Sequence, residues 1–427
     1  MDFLRRWNRR VRTSRPARFL ERFSRNARLF LLSTLISGIT FSGFQLFFNI
    51  YLRSRGFDLD FIGVLNALPS AAALVVGVPM GILSDRMGRR RAMLAGLSVA
   101  TLAAWGLISA RTQPVMIFMS SVMGIANSLY FLSMAPFMMS ASREKERTLL
   151  FSLNFGLTTI SGAAGNLIAG QLPQWFGRGL GVGSESPEAY QAVLLASVLG
   201  GGLGLIPIWR IREIQWPGPR QTRPVGVADF RNLFRPNVLR LAVPNVLIGF
   251  GAATLIPYLN LFFKGRYLID DGSLGMLFSL SAAITGVATI AGPRLADRLG
   301  SKIRAVVVTQ GVSVGFLLLM GFAPAFWVSG VAFLVRGALM NMSNPLYSAF
   351  TMEQVAERER GAVNSMLQLM WEIGWTVGPY LSGVVQARYG FAPLFVSTST
   401  LYGLAVALTW VFFRHAEAEA KSAAAVA

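Results

Sequence analysis

The sequence predicts an all-α integral membrane protein, with twelve transmembrane helices in two pseudo-symmetric six-helix halves. Three observations predict it. Only 14% of the 427 residues are charged and 53% are hydrophobic, whereas a soluble domain carries about 25% charge. Twelve apolar stretches of about 20 residues, the length that crosses a bilayer, follow one another along the chain. The two halves also repeat one another.

The spans fall near 29–52, 59–83, 92–110, 115–139, 149–172, 189–209, 238–263, 274–296, 305–322, 327–350, 362–386 and 391–413. Span 1 is too long and too rich in Phe to be a cleaved signal peptide. Glycine and proline recur inside the spans, as is common for helices in lipid. None shows the short alternating pattern of a membrane barrel. Residues 1–28 form a basic tail in which Arg alternates with Phe3, Leu4, Trp7, Phe19, Leu20 and Phe23. That pattern suits either a helix lying on anionic lipid or a frayed tail. The spans divide into an N-terminal half (29–209) and a C-terminal half (238–413). Residues 210–237, carrying Pro217, Pro219, Pro224 and Pro236, read as the linker, with room for a short interfacial helix over 227–234. Residues 414–427 form a second tail.

Charge sets the expected direction. With the N-terminus inside, 32 Lys and Arg lie at the cytoplasmic face, seven lie outside, and Arg336 is left within span 10. Cytoplasmic loops carry such an excess, so both termini are expected in the cytoplasm of a plasma (inner) membrane. The same asymmetry accounts for the net charge of +20 without a nucleic-acid partner. Cysteine is absent and the one histidine, His415, lies in the C-terminal tail, which excludes thiolate and histidine metal sites and histidine catalysis. No phosphate-binding glycine loop or paired catalytic carboxylates occur. Neither an enzyme nor an ATP-driven pump is expected, and no cofactor or metal.

The repeat is legible in two places. Leu83-Ser-Asp85-Arg86-Met-Gly88-Arg-Arg90 after span 2 returns 212 residues later as Leu295-Ala-Asp297-Arg298-Leu-Gly300-Ser-Lys302. Glu144, Glu146, Arg147, Ser152, Gly165, Gly170 and Gly177 return 213 residues later as Glu357, Glu359, Arg360, Ser365, Gly378, Gly383 and Gly390. Two six-span halves related by a parallel repeat are a transporter architecture with its substrate site between them.

The segment Gly81-Ile-Leu-Ser-Asp85-Arg86-Met-Gly88-Arg89-Arg90 resembles the signature loop between spans 2 and 3 of the major facilitator superfamily. The copy after span 8 is degenerate, with Pro293 in place of the leading glycine and Gly292 one residue early. The resemblance covers the whole chain. It implies that the loop, with Asp297, Arg298 and Gly300 in the copy, latches one half to the other in the outward-facing state. The local physics agrees. Asp85 sits at the partly negative C-terminal end of span 2 and needs positive charge from elsewhere. The start of span 11, Arg360 and Arg86 are expected to supply it, and the start of span 5 with Arg147 is expected to serve Asp297. The bland alternative is a solvated positive-inside loop. Gly77 and Gly81 in span 2, Gly162, Gly165 and Gly170 in span 5, and Gly374, Gly378 and Gly383 in span 11 permit tight helix contacts. The resemblance makes these the spans that close across the halves.

Two ionisable residues lie deep in the spans, Arg336 and Glu372. Each alone in lipid is costly, so they are expected to pair. A structural ion pair, an anion site at Arg336 and a coupling proton on Glu372 all remain open. The resemblance has spans 1, 4, 7 and 10 line the cavity. Their polar residues are Gln45, Asn49, Asn127, Asn245, Asn260, Asn341 and Asn344, among aromatic and Met side chains including Tyr130 and Tyr258. So apolar a wall suits a lipophilic or amphipathic compound better than a sugar, which needs more convergent hydrogen-bonding groups.

The expectation is a monomeric, gradient-driven transporter that works by alternating access and exports lipophilic or amphipathic small molecules in exchange for protons. Its expected partners are membrane lipids, a small-molecule substrate and protons. Uptake of a small organic anion, lipid flipping and ligand sensing without transport are the competing readings.

Overall fold

The computed structural model describes residues 23–212, 235–355 and 359–414. Twelve long helices account for most of them: α1 (Arg25–Ser54), α2 (Leu59–Met87), α3 (Arg89–Ser109), α4 (Gln113–Ala141), α5 (Glu144–Leu180), α6 (Pro187–Trp209), α7 (Pro236–Tyr267), α8 (Asp271–Leu299), α9 (Lys302–Phe322), α10 (Phe326–Glu353), α11 (Arg360–Tyr389) and α12 (Ala392–Phe413). No strand occurs among the described residues. Ten of the helices are long and apolar enough to span a membrane; α5 and α11, of 37 and 30 residues, complete the set. They follow the twelve expected spans. The largest departure is α5, which runs eight residues past 172 and closes on Gly181 in the left-handed conformation (φ +71°). Residues 25–28 of the expected tail begin α1; residues 1–22 of that tail, the 227–234 helix and His415 lie outside the described residues.

The repeat in sequence is a repeat in structure. In the first half α1 packs on α5 and α6, while α4 packs on α2 and α3. In the second, α7 packs on α11 and α12, while α10 packs on α8 and α9. The glycines of the two signature copies do the same local work: Gly88 (φ +87°) lets the chain turn from α2 into α3, and Gly300 (φ +66°) ends α8. A side chain at either φ would be strained.

The halves meet through α2 on α11 and α5 on α8, and they meet at one end only. A Cβ on Gly63 would come 2.8 Å from the Pro379 carbonyl, and one on Gly383 would collide with the Leu59 carbonyl. At the other crossing, a Cβ on Gly170 would lie 2.9 Å from Gly275 Cα, and one on Gly275 2.6 Å from the Asn166 carbonyl. Gly81 sits on the same face of α2 as Gly63, 18 residues or about five turns along, yet nothing lies within 4 Å of it; Gly77 and, on α5, Gly156 and Gly162 are equally open. The α5–α8 contact is still closed at Thr159 and Gly286. The two halves therefore diverge toward the signature loops and are sealed at the opposite, far side.

Candidate functional site

The far-side seal is built from side chains that sequence reading had placed in the cavity. The α7 helix breaks at Ile256–Tyr258 around Pro257. There the Pro257 carbonyl accepts a hydrogen bond from Asn49 Nδ2 of α1 at 2.6 Å. Asn260 Nδ2 of α7 donates to the Leu46 carbonyl of α1 at 2.8 Å. Asn66 Nδ2 of α2 holds the Asn49 oxygen at 2.9 Å, which fixes the amide with its N–H groups toward α7. Asn49 and Asn260 are both about 3% exposed, and Tyr258, whose hydroxyl donates to the Pro379 carbonyl at 2.7 Å, is fully buried. These three residues seal the bundle at this end and do not line its opening. The reason is the approach of α1 and α7 at this end, which no periodicity reports.

A second far-side group joins the halves and was not anticipated. Lys264 of α7 pairs with the buried Asp271 at the start of α8 and with Glu185 at 3.1 Å, and donates to the Tyr190 hydroxyl of α6 at 2.6 Å. The Tyr190 hydroxyl lies 3.1 Å from both Asp271 oxygens. Neighbouring Asp270 does different work: it caps α8, and hydrogen bonds from the Ser273 side chain and backbone hold its carboxyl below the usual range. The group borders a far-side vestibule of about 370 Å³ that Arg53, Leu59 and Phe391 also line. The signal available in sequence was an Asp–Asp step seven residues after a lone Lys. Because both charges lay at span ends, they read as loop residues.

On the signature side the two halves are unlatched. Asp85 pairs with Arg89 one turn away, and Arg89 Nη1 also donates to Ser84 Oγ at 2.9 Å. Arg90 reaches the Trp209 carbonyl at 2.6 Å and so caps the end of α6 within its own half. Arg360 donates to the Met352 carbonyl at 2.9 Å. Asp297, Arg298 and Arg86 are exposed, and Arg147 is half-buried with its Nε unpartnered. In this conformation, among the described residues, none of the expected cross-half partners meets Asp85 or Asp297. The spread of α2 from α11 and of α5 from α8 at this end accounts for that.

The expected Arg336–Glu372 pair is not formed. Arg336 is 5% exposed; its Nη2 bonds the Tyr402 hydroxyl at 2.9 Å, and its guanidinium stands 5.6 Å from the Tyr402 ring centre. It faces α12, behind the wall of the cavity. Glu372 is half-buried on α11 and accepts from Gln368 Nε2 at 3.1 Å. Similar depth in consecutive spans suggested a pair, but α10 packs on α8 and α9 whereas α11 packs on α2 and α7. Glu372 is left without an ion-pair partner among the described residues.

The remaining predicted cavity residues line two separate recesses or the open wall. Gln45, exposed on α1, and Asn344, exposed on α10 and hydrogen-bonded at 3.4 Å to half-buried Asn341, face open space. Asn245 lines a polar recess of about 160 Å³ with Thr351, Asn364, Gln368 and Trp371, and the Gln368 amide lies one turn from Glu372. Asn127 lines an apolar recess in the N-terminal half. Tyr130 is 9% exposed and packs in that half's own core against α3.

Comparison with known proteins agrees with this architecture. The family model described as Major Facilitator Superfamily matches residues 30–372 and 245–426. The chain is 24% identical over 405 residues to the multidrug resistance protein MdtG of Dickeya zeae (strain Ech586), covering 92% of this chain and 95% of that one. It is 27% identical over 175 residues to the protein of the same name from Enterobacter lignolyticus (strain SCF1), 39% of this chain and 41% of that one. Among solved structures, a bacterial homologue of the human lysosomal transporter Spinster in an inward-facing and occupied conformation superposes with a TM-score of 0.73 at 15% identity, over 94% of this chain and 98% of that one. The nucleoside transporter NupG superposes with a TM-score of 0.70 at 14% identity, over 91% and 98%. Twelve helices in two repeated halves, a signature loop in each half and a family match spanning both establish that the chain belongs to the Major Facilitator Superfamily.

Proposed function

We propose that the protein exports lipophilic or amphipathic compounds in exchange for protons, by alternating access. The observation that carries this is Glu372: a half-buried carboxylate with a single neutral partner, Gln368, beside the recess that Asn245 and Gln368 line. An ionisable side chain at membrane depth is functional by default. Among the described residues no cation pairs with Glu372, which leaves the carboxylate available to a coupling proton or a substrate cation. The opposite wall is apolar, with Phe41 54% and Phe131 56% exposed on α1 and α4. With the signature loops in the cytoplasm, as the positive charge directs, the divergence of the halves makes this the inward-open state, ready to load from the cell. The multidrug resistance relatives support the same direction and substrate class.

Organic-anion uptake through Arg336 has no support, because the guanidinium is committed to Tyr402 away from the opening. The direct test is uptake of an amphipathic fluorescent cation into everted membrane vesicles from cells that overproduce the protein. Energised uptake above that of control vesicles is expected. No uptake of any member of a panel of such compounds would remove the export reading.

A further inference from the structure

Resting on the export reading, we propose that the N-terminal half holds a ring-binding subsite, a recess that takes an aromatic or alicyclic ring of the exported compound. The recess has a volume of about 120 Å³ and lies among α1, α3, α4 and α6. An apolar cavity of about 150 Å³ accommodates benzene, so the space fits one ring and little more. Phe44, Leu97, Ala104, Met123 and Val198 supply apolar surface, and Asn127 supplies one amide. That amide has room to bond a polar substituent on the ring.

The recess opens where substrate would pass. Phe41, the most exposed residue of its lining, lies one turn from exposed Gln45 on α1. An exposed glutamine facing hydrocarbon would be costly, so this face of α1 borders the water-filled opening. α1 is seated on α5 and α6, and α4 on α2 and α3, with little contact between α1 and α4 themselves. The gap between them leads from the opening to a floor of α3 and α6.

The repeat shows that the space is particular to this half. The helices α3 and α9, like α4 and α10, start 213 residues apart, so the positions equivalent to Ala100, Ala104 and Asn127 are Ser313, Leu317 and Met340. There Met340 Sδ lies 3.6 Å from Ser313 Oγ and the methionine is 7% exposed. The larger Leu317, fully buried, and Met340 stand where Ala104 and Asn127 leave room. A recess required by the fold would appear in both halves. One held open by an Ala and an Asn in a single half is a device of that half.

The test uses purified full-length protein and 4-azidobenzyltrimethylammonium as photo-label, with adducts mapped by mass spectrometry. Adducts on the α1, α3 and α4 peptides that contain Phe41, Leu97 and Met123 are expected. Ala104→Phe, which fills the space beside Asn127, should reduce them at least tenfold, with the elution profile and Tm reporting its folding. Asn127→Met repeats the test if Ala104→Phe does not fold. Adducts confined to other peptides, or unchanged by the filling variant that folds, overturn the subsite. The readout is binding, so it separates from the export reading: labelling of the recess without vesicle uptake would leave the subsite standing and remove export. Vesicle uptake with labelling elsewhere would do the reverse.

Discussion

Asn49 and Asn260 clasp the two halves by donating each to the other's helix, Asn49 to Pro257 and Asn260 to Leu46. The donors are 211 residues apart and so are the acceptors, which makes the clasp an image of the internal repeat. The glycine crossings obey the same relation: Gly63 and Gly275 are 212 apart, Gly383 and Gly170 213. A seal built twice from one repeat can open symmetrically when the halves rock.

Removing one arm of the clasp should favour opening at the far side. Asn260→Ala removes the donor to the Leu46 carbonyl, and Asn49→Ala removes the donor to the Pro257 carbonyl and leaves Asn66 without its acceptor. A buried polar group left unsatisfied costs about 1–3 kcal/mol, so the sealed state should lose about five- to 150-fold in population relative to its alternative. Spin-label distances across the far ends of α1 and α7 should lengthen in either variant. Unchanged distances would show that the clasp does not set the equilibrium.

The glycines separate the two sides. Gly383→Leu cannot be accommodated against the Leu59 carbonyl and should drive the far side open. Gly81→Leu meets open space here and should leave this state intact while blocking closure of the signature side. Accessibility of single cysteines, placed without background in a chain that has none, reads both effects. The two variants should shift labelling in opposite directions.

Asp85→Asn removes the charge and keeps the size. Asp85 is half exposed here and, among the described residues, pairs with Arg89 of its own half, so this state should be as stable as before. The cost should fall on the signature-closed state: transport lost, ligand binding retained, and labels on the signature ends of α2 and α11 held apart. A wild-type rate with wild-type distances would reduce the loop to an orientation signal.

Arg336 should behave as a structural residue coupled to Tyr402 and not to Glu372. Arg336→Gln and Tyr402→Phe should each lower Tm, with a coupling energy of about 0.5–3 kcal/mol in the double-mutant cycle. Arg336→Gln with Glu372→Gln should be additive within about 0.5 kcal/mol. Rescue of Arg336→Gln by Glu372→Gln would restore the ion pair that this structure lacks.

Depth along a span and repetition between halves were legible in the sequence; azimuth and side were not. Hydropathy located α1–α12 because each must hide its backbone from lipid, and the offset of Asp85 and Asp297 announced the two halves. Arg336 and Glu372 share a depth, but which neighbour each faces depends on helix order in the bundle. Asn49, Tyr258 and Asn260 were read as cavity residues because span membership was known and conformational state was not. Lys264 and Asp271 were missed because burial between two halves cannot be seen from a charge at a span end. The Ala104 and Asn127 recess depends on volume differences between repeats that hydropathy does not register.

Proton-driven accumulation by Glu372→Gln tests the central claim most directly. Everted vesicles or oriented proteoliposomes are loaded to an interior pH below the exterior, and an amphipathic cation is followed with and without a protonophore. The wild-type protein should concentrate the cation and lose the gradient when the protonophore is added. Glu372→Gln should equilibrate the cation across the membrane and not concentrate it. Full pH-gradient-driven accumulation by Glu372→Gln would contradict the account, because the coupling proton would then ride on another group.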